Sequence, residues 1–434
     1  MTTRDEIVRL DKAHVWHPYT AMDAYIADVD PIVVARASGA WLEDVDGKRY
    51  LDGNSSWYTA ALGHAHPRLV RALAEQATTL AHCSLAGTTH EPAARLAAEL
   101  CAIAPRGMTR VFYTDNGSTS IELAVKMAVQ MWRQLGAPKK TRFVALDGAF
   151  HGDTIGATSL GGVEVFRRPF ADLVFDCVRV PSPADGGHAR AFEAMRRALR
   201  EGKDSIAAVV VEPMVQAAGG MQIYDAEFLR DLRAECTAND VLLVVDEVFT
   251  GYGRTGPMWA SDHAAISPDI LCLGKAFASP IPMGATLVGE RVFDAFRGSK
   301  DRALYYGHTF CGNPLGAAVA REVLAVFRDE RVLEQVATKA PRIAAAFARM
   351  AAIPGVARVR ALGMIGAADL VDPEARGYFA SAGWRVYDEA RRRGAYVRPL
   401  GDTVYLTPPL TIDIADLDAL LAITEESIRE ATRA

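Results

Sequence analysis

The stretch Val241-Leu-Leu-Val-Val-Asp246-Glu-Val-Phe-Thr-Gly251-Tyr-Gly-Arg-Thr-Gly256 is followed by Asp269-Ile-Leu-Cys-Leu-Gly-Lys275-Ala-Phe277. Each begins with or contains a short apolar run, and each run leads into a residue that can do chemistry: Asp246, and Lys275 29 positions later. Four or five apolar residues bounded by polar ones read as a strand buried on both faces, as in a parallel sheet. Ligands of open α/β sheets gather at the carboxyl ends of strands, which is where both residues fall. Similar runs occur at 110–114, 142–146, 206–211 and 285–288, making six candidate strands with 241–245 and 270–273. Helical patterns at 119–132, 189–200 and 226–239 lie between several of them. This alternation predicts an α/β fold with a mostly parallel sheet covered by helices.

The two ends of the chain read differently. Trp41 to Asp52 places the Asp46-Gly47 pair between two short apolar segments, the signature of a hairpin, and a helix is predicted over 67–78. Alanine-rich helical stretches run from about 317 to 327 and over 332–351, followed by short segments at 356–360 and 364–370. At 434 residues the chain is long enough for more than one domain. We expect a large domain over 76–320 and a smaller α/β domain assembled from 1–75 and 321–434.

A net charge of −5 with 23% charged residues lacks the basic excess that nucleic acid binding favours, so small-molecule partners are expected. The first residues contain no apolar signal core, and no run of apolar residues is long enough for a membrane span, so a cytoplasmic location is expected. The six cysteines are scattered singly and read as reduced thiols.

A strand-end lysine and a strand-end aspartate together suit pyridoxal phosphate. The cofactor needs an amine for its Schiff base and a carboxylate against its pyridine nitrogen. Thr114-Asp-Asn-Gly117-Ser118-Thr opens the helix after the first strand. Its free N–H groups and dipole suit a phosphate, although the same residue types are ordinary helix caps. Phe150, between Gly148 and Gly152, offers a flat ring to one cofactor face, and Val248 can cover the other. Gly251-Tyr-Gly-Arg-Thr-Gly256 matches the dinucleotide fingerprint and so admits a nicotinamide-dependent dehydrogenase, but Pro257 follows where a helix should open. Arg254 of this loop is a candidate to reach the site. His64-Ala-His66 lacks a third ligand at zinc-like spacing, and no metal is expected. No Gly-x-Ser-x-Gly elbow marks a hydrolase.

Together these motifs resemble the fold-type I pyridoxal phosphate enzymes, and among them the class III aminotransferases, over nearly the whole chain from about His14. The resemblance implies Lys275 as the Schiff-base lysine, Asp246 at the pyridine nitrogen, Gly117 and Ser118 at the phosphate, and Phe150 and Val248 on the ring faces. It also implies a homodimer in which Thr309, within Gly307-His-Thr-Phe-Cys-Gly-Asn-Pro, reaches the neighbouring subunit's phosphate.

Within the class, several segments are similar to the branch that converts 8-amino-7-oxononanoate to the diamine precursor of biotin. They are Trp16-His-Pro-Tyr19-Thr-Ala-Met, Ser55-Ser-Trp57-Tyr, Phe150-His-Gly-Asp153-Thr, Gln216 with Gly219-Gly-Met221, Arg398-Pro-Leu-Gly and Thr407-Pro-Pro-Leu. This implies that Tyr19, Trp57 and Gly307 line the substrate site and that Arg398 meets the substrate carboxylate. Three departures leave the amino donor open between S-adenosylmethionine and lysine: Phe150 where tyrosine is usual, Ala278-Ser-Pro-Ile-Pro282 after the lysine, and His308 where proline is frequent. A class III ω-amino acid aminotransferase using pyruvate or 2-oxoglutarate is the alternative. A catalytically silent cofactor-binding protein is a further one.

Overall fold

The computed structural model describes residues 3–184, 186–371 and 377–433. Its central sheet has seven strands: β1 Met108–Thr114, β2 Arg142–Leu146, β3 Cys177–Val180, β4 Ile206–Val211, β5 Leu242–Asp246, β6 Ile270–Leu273 and β7 Gly284–Gly289. Their spatial order is β1-β7-β6-β5-β4-β2-β3, and only β7 runs against the rest. Every residue of β4, β5 and β6 is buried. Alternate side chains enter two separate cores, Leu243 and Val245 one and Leu242 and Val244 the other, as the two-residue period of a sheet covered on both faces requires.

Six of the seven strands match apolar runs in the sequence. The seventh, β3, reads Cys-Val-Arg-Val, only four residues with a half-buried centre at the sheet edge. An edge strand needs no continuous apolar run, so periodicity does not reveal it.

The helix after β1, Gly117–Gln134, extends two residues beyond the expected span at each end. It starts with a capping box in which the Asn116 side chain accepts from the Thr119 N–H, and the Thr119 hydroxyl accepts from the Asn116 N–H. Ile121, Leu123, Ala124, Met127, Ala128, Met131 and Trp132 are buried in one core with the sheet.

The predicted hairpin forms as Trp41–Asp44 against Arg49–Asp52, with Val34–Ser38 on one side. Ala395–Tyr396, from far along the chain, adds in parallel on the other side. Val356–Leu362, Ile365–Leu370 and Thr403–Leu406 make an antiparallel sheet of their own. Backbone hydrogen bonds from Thr407 N to Gly53 O (2.7 Å) and from Leu410 N to Ala61 O (2.7 Å) tie the C-terminal segment to the N-terminal one. Among the described residues no helix is long and apolar enough to cross a membrane.

Candidate active site

Asp246 is the last residue of β5, and Lys275 follows β6 by two residues. Because β5 and β6 are neighbours in parallel register, with Asp246 opposite Cys272, the two reach the same sheet end. Lys275 is partly buried with φ +49°, and its Nζ lies over two rings, 4.7 Å from the Tyr58 centroid and 5.6 Å from that of Phe249. Burial lowers its pKa below the usual 10.5, while the charges of Asp246, Glu212 and Asp153 oppose that fall.

Asp246 Oδ1 accepts the Val248 N–H at 3.0 Å, and Oδ2 lies 2.8 Å from His151 Nδ1. His151 is buried, and its Nε2 has no hydrogen-bond partner among the described residues. Glu212 directly follows Val211, which pairs with Val245, so a second buried carboxylate ends the strand next to that of Asp246. Its oxygens accept the N–H groups of Phe150 (3.0 Å) and Ala217 (2.9 Å). Burial raises its pKa to about 7, against the pull of His151, while the Asp246 charge adds to the rise. Sequence reading singled out neither Glu212 nor His151. A charged residue ending the all-apolar run 206–211 was the available signal.

Glu247 takes a different part from its neighbour. Its carboxylate accepts from Thr250 Oγ1, Ala260 N, Ser261 N and Ser261 Oγ, fastening the loop behind the strand rather than facing the site.

The phosphate-loop candidates are brought against the lysine loop. A Cβ on Gly117 would lie 2.6 Å from Val248 Cγ1, and one on Gly274 would lie 3.0 Å from Gly117 Cα. A Cβ at Gly117 would collide with Val248, and one at Gly274 would press tightly on the Gly117 backbone. Gly152, at φ +129°, similarly abuts Ser118, whose Oγ an added Cβ would meet at 2.2 Å. The N–H groups of Gly117 and Ser118 have no acceptor among the described residues. They belong to the four donors that any helix start leaves unmatched.

On the other side lies an aromatic wall. Phe150 packs on Phe166 (5.5 Å between centroids), which also meets Tyr19 (5.2 Å) and Tyr378 (4.8 Å). The Tyr19 hydroxyl donates to Asp153, and its ring meets Trp57 edge-on at 5.5 Å. Arg398 is held between two indoles, its guanidinium carbon 5.2 Å from the Trp57 ring and 5.5 Å from that of Trp384. No carboxylate pairs with it among the described residues. Trp57 belongs to four consecutive non-glycine residues with positive φ: Ser55 +47°, Ser56 +44°, Trp57 +55° and Tyr58 +73°. Left-handed backbone costs L-residues roughly 1–2 kcal/mol each, so long-range contacts must hold this turn.

Gly307 and Thr309 are exposed and, among the described residues, make no hydrogen bond or ring contact with the Lys275 cluster. Their segment docks on the phosphate loop through His308, whose Nδ1 lies 2.7 Å from Asp115 Oδ2. Arg254 does not reach the site. It is buried, donating to the backbone oxygens of Pro408 (2.7 Å) and Met364 (3.4 Å). Its loop opens no helix, so the dinucleotide geometry is absent from 251–256. His64 and His66 separate, His64 pairing with Asp52 and His66 with Glu330.

These residues fit pyridoxal phosphate. There is an amine and a carboxylate at one sheet end, a helix start with free N–H groups for the phosphate, and glycines at positions where any side chain would intrude on the cradle. Comparison with known proteins points the same way. The family described as "Aminotransferase class-III" matches residues 24–428. The adenosylmethionine-8-amino-7-oxononanoate aminotransferase of Geobacter sulfurreducens is 38% identical, the alignment covering 97% of each chain. The crystal structure of the like-named enzyme from Methanocaldococcus jannaschii superposes with a TM-score of 0.95 at 31% identity, covering 99% of both chains. An omega transaminase from Pseudomonas jessenii, solved in complex with PMP, superposes with a TM-score of 0.92 at 28% identity over 98% of each. Pyridoxal phosphate is the cofactor of this class, and the chain belongs to the class III aminotransferases.

Proposed function

We propose that this aminotransferase moves an amino group onto 8-amino-7-oxononanoate to form 7,8-diaminononanoate in biotin synthesis, with S-adenosylmethionine as donor. The observation that carries this reading is the Arg398 guanidinium between Trp57 and Trp384, without a carboxylate partner among the described residues, beside the aromatic wall of Tyr19, Phe166 and Phe150. A planar fork of donors suits a carboxylate, and the wall suits the apolar chain that carries it. Names of similar enzymes support the same substrate and donor.

Bound pyridoxal phosphate supplies an aldehyde to carry the amino group and a ring that withdraws electrons from the substrate's Cα. The protein's residues do the rest. Lys275 would hold the cofactor through its Nζ, and as a free amine that Nζ would move a proton at the substrate carbon. Its lowered pKa favours the neutral amine that this work requires. Asp246 holds a proton at the ring nitrogen, oriented by the Val248 N–H and His151. Gly117 and Ser118 bind the phosphate with backbone N–H groups. Phe150 and Val248 enclose the ring, with Glu212 fixing the Phe150 backbone. Tyr19, Trp57 and Gly307 flank the substrate, and Arg398 orients its carboxylate.

The reading extends to a cytoplasmic homodimer with the domain division 1–75, 76–320 and 321–434. The exposed Tyr305 and Phe310 flank Thr309 on a surface segment, which supports an interface there through which Thr309 reaches the neighbouring subunit's phosphate.

The test is the visible spectrum of the purified protein with pyridoxal phosphate, during addition of S-adenosylmethionine or lysine and then of the keto acid. The cofactor band should fade with S-adenosylmethionine and return with 8-amino-7-oxononanoate, the diamine appearing by mass spectrometry. A response to lysine alone would replace the donor. A response only to ω-amino acids with pyruvate or 2-oxoglutarate would replace the function.

A further inference from the structure

The left-handed turn Ser55–Tyr58 is over-determined by buried polar groups that the mechanism above does not use. Asp52, wholly buried, accepts the Asn54 N–H at 3.0 Å through Oδ1 and the Ser56 N–H at 2.9 Å through Oδ2. His64 Nε2 lies 2.8 Å from the same Oδ2. From the C-terminal part of the chain, Thr407 O accepts from Ser55 Oγ at 2.6 Å, and the Tyr405 hydroxyl accepts from Tyr58 at 3.1 Å. The Asn54 side chain closes the circuit, accepting the backbone N–H of Arg398 at 2.6 Å.

The product of this bracing is specific. Consecutive residues face two different functional groups: Trp57 stands against the Arg398 guanidinium and Tyr58 beneath the Lys275 amine. Backbone in a sparsely populated region persists only where its surroundings impose it, and such regions cluster at sites where placement matters.

We propose that the buried Asp52–His64 pair is a positioning device for the transfer reaction, pinning the Ser55–Tyr58 turn so that the carboxylate anchor Arg398 and the base Lys275 keep a fixed separation. Neither residue touches substrate. Both act through Trp57 and Tyr58. The inference rests on the reading of Arg398 as the carboxylate anchor.

The test uses the protein with pyridoxal phosphate bound and octanoate, a carboxylate on an apolar chain, as calorimetric probe. Asp52→Asn should weaken octanoate binding and raise KM for the keto acid about tenfold, with a smaller change in kcat, because misplacement of the anchor penalises the acceptor first. Hydrogen exchange at the 52–60 peptide should rise. Adding Ser56→Gly, which relieves the left-handed cost at one residue of the turn, should restore much of the binding and the exchange protection. A residue of general stability alone would show no such selective rescue. If Asp52→Asn does not fold, His64→Gln carries the same comparison. Equal octanoate affinity in wild type and variant, or no rescue by Ser56→Gly, overturns the positioning role alone. A wild type that does not bind octanoate overturns the Arg398 reading and this role with it.

Discussion

The Arg398 guanidinium lies 5.2 Å from the Trp57 ring and has no carboxylate partner among the described residues. An arginine placed on aromatic rings and left unpaired is positioned for an anion that arrives from outside. Arg398→Ala should reduce kcat/KM for the keto acid by about 10- to 100-fold, the range of a charge-assisted hydrogen bond. The donor half-reaction, followed separately by the cofactor spectrum, should change less. Equal losses in both halves would mean that Arg398 serves the site generally.

Lys275→Ala should abolish turnover and the visible band of the lysine-held cofactor. The side chain projects from a short turn and makes no hydrogen bond among the described residues, so far-ultraviolet circular dichroism should match wild type. Retained transamination in this variant would remove Lys275 from the mechanism.

Gly117→Ala should weaken cofactor binding about tenfold or more, measured as the concentration dependence of the visible band, because the new Cβ would stand 2.6 Å from Val248 Cγ1. Val248 covers the ring in the proposed site, so the clash is transmitted to the cofactor.

Glu212 predicts a pH dependence of stability in the cofactor-free protein. Its folded pKa of about 7 exceeds the usual 4.5, so between these values the folded state binds more protons than the unfolded one. Stability from this group is therefore present at low pH and lost as pH rises from about 4.5 to about 7, by something on the order of 1–3 kcal/mol. Glu212→Gln removes the titration. Its Tm, relative to wild type, should be higher at pH 8 than at pH 5, as read by calorimetry. A Tm difference that does not change with pH would show that Glu212 keeps one charge state throughout.

Much of this was legible in the chain. Short apolar runs such as 206–211 and 270–273 specify buried strands locally, and Asp246 and Lys275 are visible because each ends such a run. The partners of these residues were not. Glu212 comes beside Asp246 because β4 and β5 lie in parallel register, and His151 meets Asp246 across 95 positions. Arg254 looked like a site residue because its loop carries glycines, whereas its fate was set by the carbonyls of Met364 and Pro408 that fold over it.

The sequence by itself determined the α/β alternation, the strand ends that carry the amine and the carboxylate, and the helix start that can take a phosphate, because each depends on residues within a few positions of one another. Only the tertiary structure decided the substrate side. Asn54 and Arg398 are 344 positions apart, and the left-handed turn between Ser55 and Tyr58 is bonded by Asp52 and Thr407, with His64 on Asp52. Local preference opposes positive φ in four successive L-residues, so no short-range pattern can announce such a turn.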